Sequence, residues 1–285
     1  MNHLLRSLFV GVALIHGPLG RAPIIPPTNS PSGGVGSLED TKEHTTNEIA
    51  RVSATLLLTR DDPFEVLMVR RNSSGTFASS LVFPGGAIEQ SDASDSWSAF
   101  VGDFDDYDPD ERALRIGVLR ETWEETSILV GANSSGTAAA GILTGLDFRG
   151  FVEKSGIRLR LDAVVPFGHW VTPVIVSRRF DTRFYLARMP AGQVAVADGS
   201  ETVGVEWVSP AAAVGAAKSG EWPIIFPTLM NLDRLAESPD TDAALAAALA
   251  RPLVTVQPVM EIQPDGSQVI TIPAEAGYSV TRFTA

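Results

Sequence analysis

From about residue 48 onward, the chain consists of short apolar segments separated by turn residues. Segments rich in β-branched and aromatic residues predict strands, whereas apolar residues repeating every three or four positions predict helices. The predicted strands are 51–59, 65–69, 180–187 and 203–208, with a hairpin of 254–262 and 268–272. The predicted helices are 108–126, 209–218, 226–236 and 242–250. Regions 158–164 and 171–175 have mixed patterns. Because strands and helices are interleaved, the fold class is α/β or α+β.

Composition divides the chain into three predicted parts. Residues 17–48 are rich in Pro, Gly, Ser and Thr, so 1–47 is predicted to be a disordered tail or a targeting segment. Within it, Leu8–Ile15 is apolar but too short to span a bilayer. Residues 48–236 form the predicted main domain, and 237–285 form a C-terminal extension with a helix and the hairpin.

Charge and residue counts narrow the classes of function. The formal net charge is -12, which argues against a nucleic acid held by its backbone but leaves anionic small molecules open. The chain has no Cys and only four scattered His, so any metal should be a hard cation bound by oxygen. Without Cys or a clear export signal, we predict a cytoplasmic protein that is not embedded in a membrane.

The helix predicted from Asp108 carries the candidate chemistry. Asp108 is a suitable N-cap, Pro109 suits the first helical position, and Glu111 stands where a capping box places Glu. Residues three and four apart share a helix face, so three glutamates should point the same way. They are Glu121, Glu124 and Glu125. Such a group is either a solvated acidic face or a cation site.

Two neighbouring features bear on that choice. Arg120 lies four residues before Glu124 and can brace its carboxylate. Upstream, Pro84-Gly85-Gly86 forms a sharp turn whose glycines permit close approach of the backbone to a ligand. The aspartates between them are interpreted as a solvated insertion, because they lack the Gly and terminal Glu of a calcium loop. They are Asp103, Asp105, Asp106, Asp108 and Asp110.

Together these residues resemble the signature box of the Nudix hydrolases. The matching positions are Gly86, Asp92 (where the box has Glu), Arg120, Glu121, Glu124, Glu125 and Ile128. The sequence departs from the box at Thr122 and Ser127, and its spacer is the 27 residues 93–119 instead of seven. The resemblance implies a Nudix-type α/β/α sandwich with a mixed sheet, carrying an insertion at 93–119. It leaves the role of Asp92 open.

The expanded box is similar to that of a branch related to the peroxisomal acyl-coenzyme A diphosphatases. Supporting segments are 81–86, Trp97, 170–173, 178–182, Glu201 and 206–207. The coenzyme A signature of other coenzyme A diphosphatases is not reproduced, since Gly75 stands where that signature has Arg. The substrate therefore stays open between coenzyme A or its esters and ADP-ribose, a dinucleotide or a nucleoside triphosphate. A non-catalytic Nudix-fold binding module is the alternative of a different class.

The resemblance also implies roles for particular residues. Glu121, Glu124 and Glu125 would hold Mg²⁺ or Mn²⁺, while Arg120 would orient them. Water would attack one phosphorus of an anionic diphosphate substrate. The general base would be Glu201 or, as second candidate, Glu125. The candidate substrate-binding residues are Arg70, Arg71, Gly85, Gly86 and Arg179. A homodimer is also left open.

Overall fold

The computed structural model describes residues 49–72, 80–132, 145–176 and 178–284. The predicted tail 1–47 and Gly75 lie outside these ranges. The strands are β1 Arg51–Arg60, β2 Glu65–Arg71, β3 Leu81–Val82, β4 Gly85–Ala87, β5 Val165–Val171, β6 Phe180–Arg188, β7 Thr202–Val208, β8 Thr255–Val256, β9 Val259–Ile262, β10 Gln268–Thr271 and β11 Arg282–Thr284. The α-helices are α1 Pro109–Thr126, α2 Phe148–Ser155, α3 Pro210–Ser219, α4 Phe226–Leu235 and α5 Thr241–Ala250.

The main sheet is mixed. Its strand order is β3-β2-β1-β6-β5-β8, with β4 paired to β1 and β7 paired to β2. The β1–β6 and β5–β8 pairs are parallel, and the remaining pairs are antiparallel. A second sheet of the described residues has the order β11-β10-β9. Strand β1 carries β4 along its first half and β2 at its far end, so the sheet opens where the glycine turn lies.

Helices cover both faces of the main sheet. Side chains alternate along each strand, so neighbouring residues pack against helices on opposite faces. On β1, Leu56 and Leu58 pack with helices α1 and α2, whereas Leu57 packs with α3, α4 and α5. Two apolar cores therefore lie on opposite sides of one sheet. The predicted α/β/α sandwich with a mixed sheet is confirmed.

Helix α1 begins and ends as the sequence predicts. The Asp108 carboxylate accepts the N–H of Glu111 at 2.9 Å, and Ser127 adopts a left-handed conformation with φ 60°. The capping box is only half formed, however. The Glu111 carboxylate accepts from Arg115 Nε at 2.7 Å and from the Tyr185 hydroxyl at 3.1 Å. Glu111 is thus part of a helix-to-sheet contact.

The insertion and the middle of the chain correct two expectations. Asp103 is buried and accepts the N–H groups of Leu161 and Asp162, each at 2.9 Å, so it is not solvated. The strand in this part of the chain is β5, which begins directly after the mixed region 158–164 and ends at residue 171, the first residue of the mixed region 171–175. Pairing with β6 on one side and β8 on the other creates β5, and a local pattern does not reveal such partners.

The C-terminal residues pack against the main sheet. The predicted hairpin exists as β9 and β10, but residues 255–256 form β8 and pair with β5. The Tyr278 hydroxyl accepts from Trp170 Nε1 at 2.8 Å, which ties the second sheet to the core. Within the described ranges, no helix is long and apolar enough to cross a membrane.

Candidate active site

The glycine turn and helix α1 come into direct contact. The Gly85 N–H donates to Glu125 Oε2 at 2.9 Å. Gly85 has φ +151°, and a Cβ there would lie 2.4 Å from the Ala54 carbonyl oxygen. A Cβ on Gly86 would lie 2.4 Å from the carboxyl carbon of Glu121. Gly85 is therefore required by its positive φ and by the β1 backbone beside it, whereas a side chain on Gly86 would have to displace the Glu121 carboxylate.

Arg120 is buried beneath this contact, and its hydrogen bonds stay inside the protein. Its Nε and Nη2 donate to the two Asp92 carboxylate oxygens at 2.9 Å each, and Nη2 also donates to the Ala87 carbonyl at 3.0 Å. Its Nη1 donates to Glu121 Oε1 and Glu124 Oε2, both at 2.9 Å. These five contacts match the five donors of a guanidinium group. Arg120 therefore orients carboxylates, and Asp92 anchors it.

This arrangement also explains the long spacer. Asp92 is 1% exposed although 27 residues separate it from Arg120. The chain leaves after Asp92, passes through two 3₁₀ turns at 95–99 and 104–106, and returns as α1. The insertion thus leaves the Asp92–Arg120 pair intact. Burial would lower the pKa of Arg120, but the hydrogen bonds and charges of Asp92 and Glu121 raise it above its ordinary value.

The three glutamates in the last two turns of α1, Glu121, Glu124 and Glu125, all have raised pKa values. Burial raises the pKa of Glu125 to about 8, and the charges of Glu121 and Glu201 add smaller contributions. Arg71 and the hydrogen bond from the Gly85 N–H lower this pKa, but not enough to offset the burial. Burial also raises the pKa of Glu121 and of Glu124 despite their contacts with Arg120. Arg71 and Arg120 do not bring these pKa values back to the ordinary range, whereas a bound cation would lower them.

Glu201 approaches this cluster from a different part of the fold. Its charge acts on both Glu121 and Glu125, although it lies on the exposed turn before β7. Asp198 shapes that turn by accepting the N–H groups of Ser200, Glu201 and Thr202 at 2.8 to 3.0 Å. Although burial opposes the charge, these hydrogen bonds lower the pKa of Asp198. The sequence did not predict a site role for Asp198. Its only local signal is an Asp before Gly-Ser, which indicates a turn.

The three candidate arginines have different surroundings. Arg71 Nη2 donates to the Gly85 carbonyl at 3.1 Å and lies 3.4 Å from Glu125 Oε1, so it borders the cluster. Arg70 points to the other face of the sheet and pairs with Glu206 at 2.7 Å. Arg179 precedes β6, where its Nε donates to the Thr172 carbonyl at 3.3 Å. The structure therefore brings Arg71, but not Arg70, to the carboxylates.

The chemistry of the donor set fits a hard divalent cation. Carboxylate oxygens on one helix face, with a further carboxylate opposite, are the ligands that Mg²⁺ and Mn²⁺ favour. As the side chains stand, no three acidic or histidine groups within the described residues could hold a metal ion between them. In this arrangement Arg120 donates to Glu121 and Glu124, and the Gly85 N–H donates to Glu125. Rotation of these side chains about their own bonds would free their oxygens.

Comparison with known proteins agrees with this geometry. The family described as "NUDT19 Nudix domain" matches residues 98–235. A crystal structure of a NUDIX hydrolase from Alicyclobacillus acidocaldarius superposes with a TM-score of 0.60 and 29% identity, covering 70% of this chain and 96% of that one. The chain is therefore similar to the Nudix hydrolases in sequence over residues 98–235 and in the fold that carries the glycine turn and helix α1.

Curated relatives add names at moderate identity. Putative nudix hydrolase 7 of Caenorhabditis elegans is 28% identical over 232 residues, covering 78% of this chain and 71% of the relative. The acyl-coenzyme A diphosphatase NUDT19 of Xenopus laevis is 28% identical over 226 residues, covering 60% of each chain. The NUDT19 protein of Gallus gallus is 27% identical, and 61% of its length is covered. The chain thus spans about three fifths of the two vertebrate relatives.

Proposed function

We propose that this chain hydrolyses the diphosphate linkage of acyl-coenzyme A or a closely related nucleoside-diphosphate-linked molecule, using Mg²⁺ or Mn²⁺. The observation that carries the proposal is the convergence of Glu121, Glu125 and Glu201 beside the Gly85-Gly86 turn. Charges of one sign brought together from a helix and a distant loop are costly unless a cation offsets them. The names of the two vertebrate relatives support the acyl-coenzyme A class.

Each residue contributes a distinct part of the reaction. Glu121, Glu124 and Glu125 would hold the cation, which when bound shields phosphate oxygens and acidifies water. Glu201 accepts the proton of the attacking water, with Glu125 as the second candidate. The water oxygen bonds to one phosphorus and the bridging P–O bond breaks, leaving one phosphate-bearing product on each side. Arg71 lies where it can contact the substrate phosphates.

A substrate panel tests this proposal. We expect the purified chain to cleave coenzyme A and its acyl esters with added Mg²⁺ or Mn²⁺, and to stop when the metal is chelated. ADP-ribose and NADH serve as competing substrates, and mass analysis identifies the products. In isotopically labelled water, the label should enter one product only. Turnover of ADP-ribose without turnover of coenzyme A esters would refute the substrate class, whereas binding without any turnover would indicate a non-catalytic module.

Substitution of the helix carboxylates tests the site. Glu124→Gln or Glu125→Gln should cut turnover at least roughly 100-fold, the loss typical of electrostatic catalytic groups. Gln keeps the shape but removes the charge that holds a hard cation, so metal affinity should weaken while the fold persists. Glu153→Gln, on the exposed side of α2, is the matched control and should leave turnover unchanged. Metal-dependent turnover of wild-type rate in both site variants would exclude α1 as the metal site.

A further inference from the structure

A groove outside the carboxylate cluster lies at the far end of the edge strand β7. Its volume is about 510 Å³. One wall is formed by Val205 and Trp207 of β7, and the opposite wall by the loop that follows β6, including Val194. Arg60 and Arg188 close its far end. The lining is apolar near the strand, whereas its end carries ion pairs: Arg188 pairs with Asp61, which also lines the groove, and Arg60 pairs with Glu65.

The groove is connected to the candidate active site by β7 itself. Side chains two residues apart lie on the same face of a strand, so Val203, Val205 and Trp207 form one row. Val203 is 54% exposed and directly follows the turn that holds Glu201. An apolar track therefore runs from the carboxylates along β7 into the groove.

The opposite wall is fixed in place by helix α1 and the segment after it. The Val196 N–H donates to the Thr126 carbonyl at 2.8 Å. The Gln193 side chain accepts the Leu129 N–H at 2.7 Å and donates to the Leu129 carbonyl at 2.9 Å. These bonds hold the loop while leaving Val194 75% exposed and Val196 55% exposed. Val194 and Val196 are largely exposed, so packing within the fold does not require apolar side chains at these positions. Their apolar character therefore favours a role in binding.

We propose that this groove binds the acyl end of an acyl-pantetheine arm whose diphosphate lies at the carboxylate cluster; this inference rests on the proposed function. The arm contains about four peptide-like repeats and spans roughly 14 Å when extended. The four residue-to-residue steps from Glu201, which precedes β7, to Val205 span roughly 13 Å. A thioester would therefore reach the groove at Val205, and the acyl chain would continue past Trp207.

Chain-length dependence of turnover tests the inference. Val194→Trp fills the groove from its exposed wall with little risk to folding, and Val205→Trp fills it from the strand. Val259→Trp, at a valine that is 58% exposed on β9, is the matched control. We expect the kcat/KM ratio of lauroyl- to acetyl-coenzyme A to fall roughly tenfold in both groove variants and to stay unchanged in the control. Calorimetry of lauroyl-coenzyme A with metal chelated should show a parallel loss of affinity.

The outcomes separate this inference from the proposed function. If the wild type cleaves coenzyme A esters but Val194→Trp and Val205→Trp keep its chain-length profile, the groove is not the acyl site and the proposed function stands. If the wild type cleaves no coenzyme A ester, the proposed function fails. In that case, calorimetry showing the same lauroyl-coenzyme A affinity in wild type and groove variants overturns the inference as well.

Discussion

Replacing Asp92 by Asn tests how the site is supported. In the folded protein, both Asp92 oxygens accept from Arg120 at 2.9 Å, and Oδ2 also accepts the Glu89 N–H at 2.9 Å. Asn has nearly the same shape, but it turns an NH₂ group toward a guanidinium that can only donate. One of the paired bonds is lost, and a buried positive charge loses its main counter-charge.

The expected cost follows from the burial of this pair. The side chains of Asp92 and Arg120 are 1% and 8% exposed. Removing one partner of a buried ion pair costs about 3 to 5 kcal/mol, and Glu121 and Glu124 still contact Arg120, so the low end applies. We therefore expect a loss of about 3 kcal/mol in the free energy of unfolding. In a domain of this size, the thermal midpoint should drop by roughly 6 to 12 °C.

Urea unfolding followed by circular dichroism measures this change, and turnover is measured on the same samples. Asp95→Asn is the matched control, because Asp95 lies in the same insertion with a side chain that is 94% exposed and 3.9 Å from Arg112. The control should change stability by less than about 0.5 kcal/mol. If Asp92→Asn unfolds at the wild-type midpoint, Asp92 does not anchor Arg120, and the account of the long spacer is wrong.

Three further substitutions give separate checks. Gly86→Ala should lower turnover at least roughly tenfold, because the new Cβ would displace the carboxyl end of Glu121. The thermal midpoint should change little, since that end of the side chain is flexible. Gly204→Ala is the control and should behave as wild type, because its Cβ would have its nearest contact at 3.9 Å. Asp198→Ala should reduce kcat by roughly 10- to 100-fold by releasing the turn that holds the candidate base, and an unchanged kcat would remove that turn from the mechanism. Asp103→Ala should cost roughly 2 kcal/mol in urea unfolding, since it strands two backbone N–H groups, and a neutral result would contradict its burial.

Local sequence determined the elements that have strong local signals. Helix α1 was predicted from Asp108 to Thr126 because its cap, its Pro109 and its glutamate spacing are all local features. Strands β1, β2, β6 and β7 were predicted to within two residues at either end for the same reason. The common face of Glu121, Glu124 and Glu125 follows from helix geometry alone, and so does the contact of Arg120 with Glu124.

Tertiary structure alone decided which distant residues join that face. Nothing local in Asp92 shows that the chain returns to it after 27 residues, because the pair forms only when α1 packs against the glycine turn. Likewise, Arg70 and Arg71 are adjacent in sequence, yet the pleat of β2 sends one to Glu206 and the other to the carboxylates. Alternation and long-range packing, rather than residue type, thus select the members of the site.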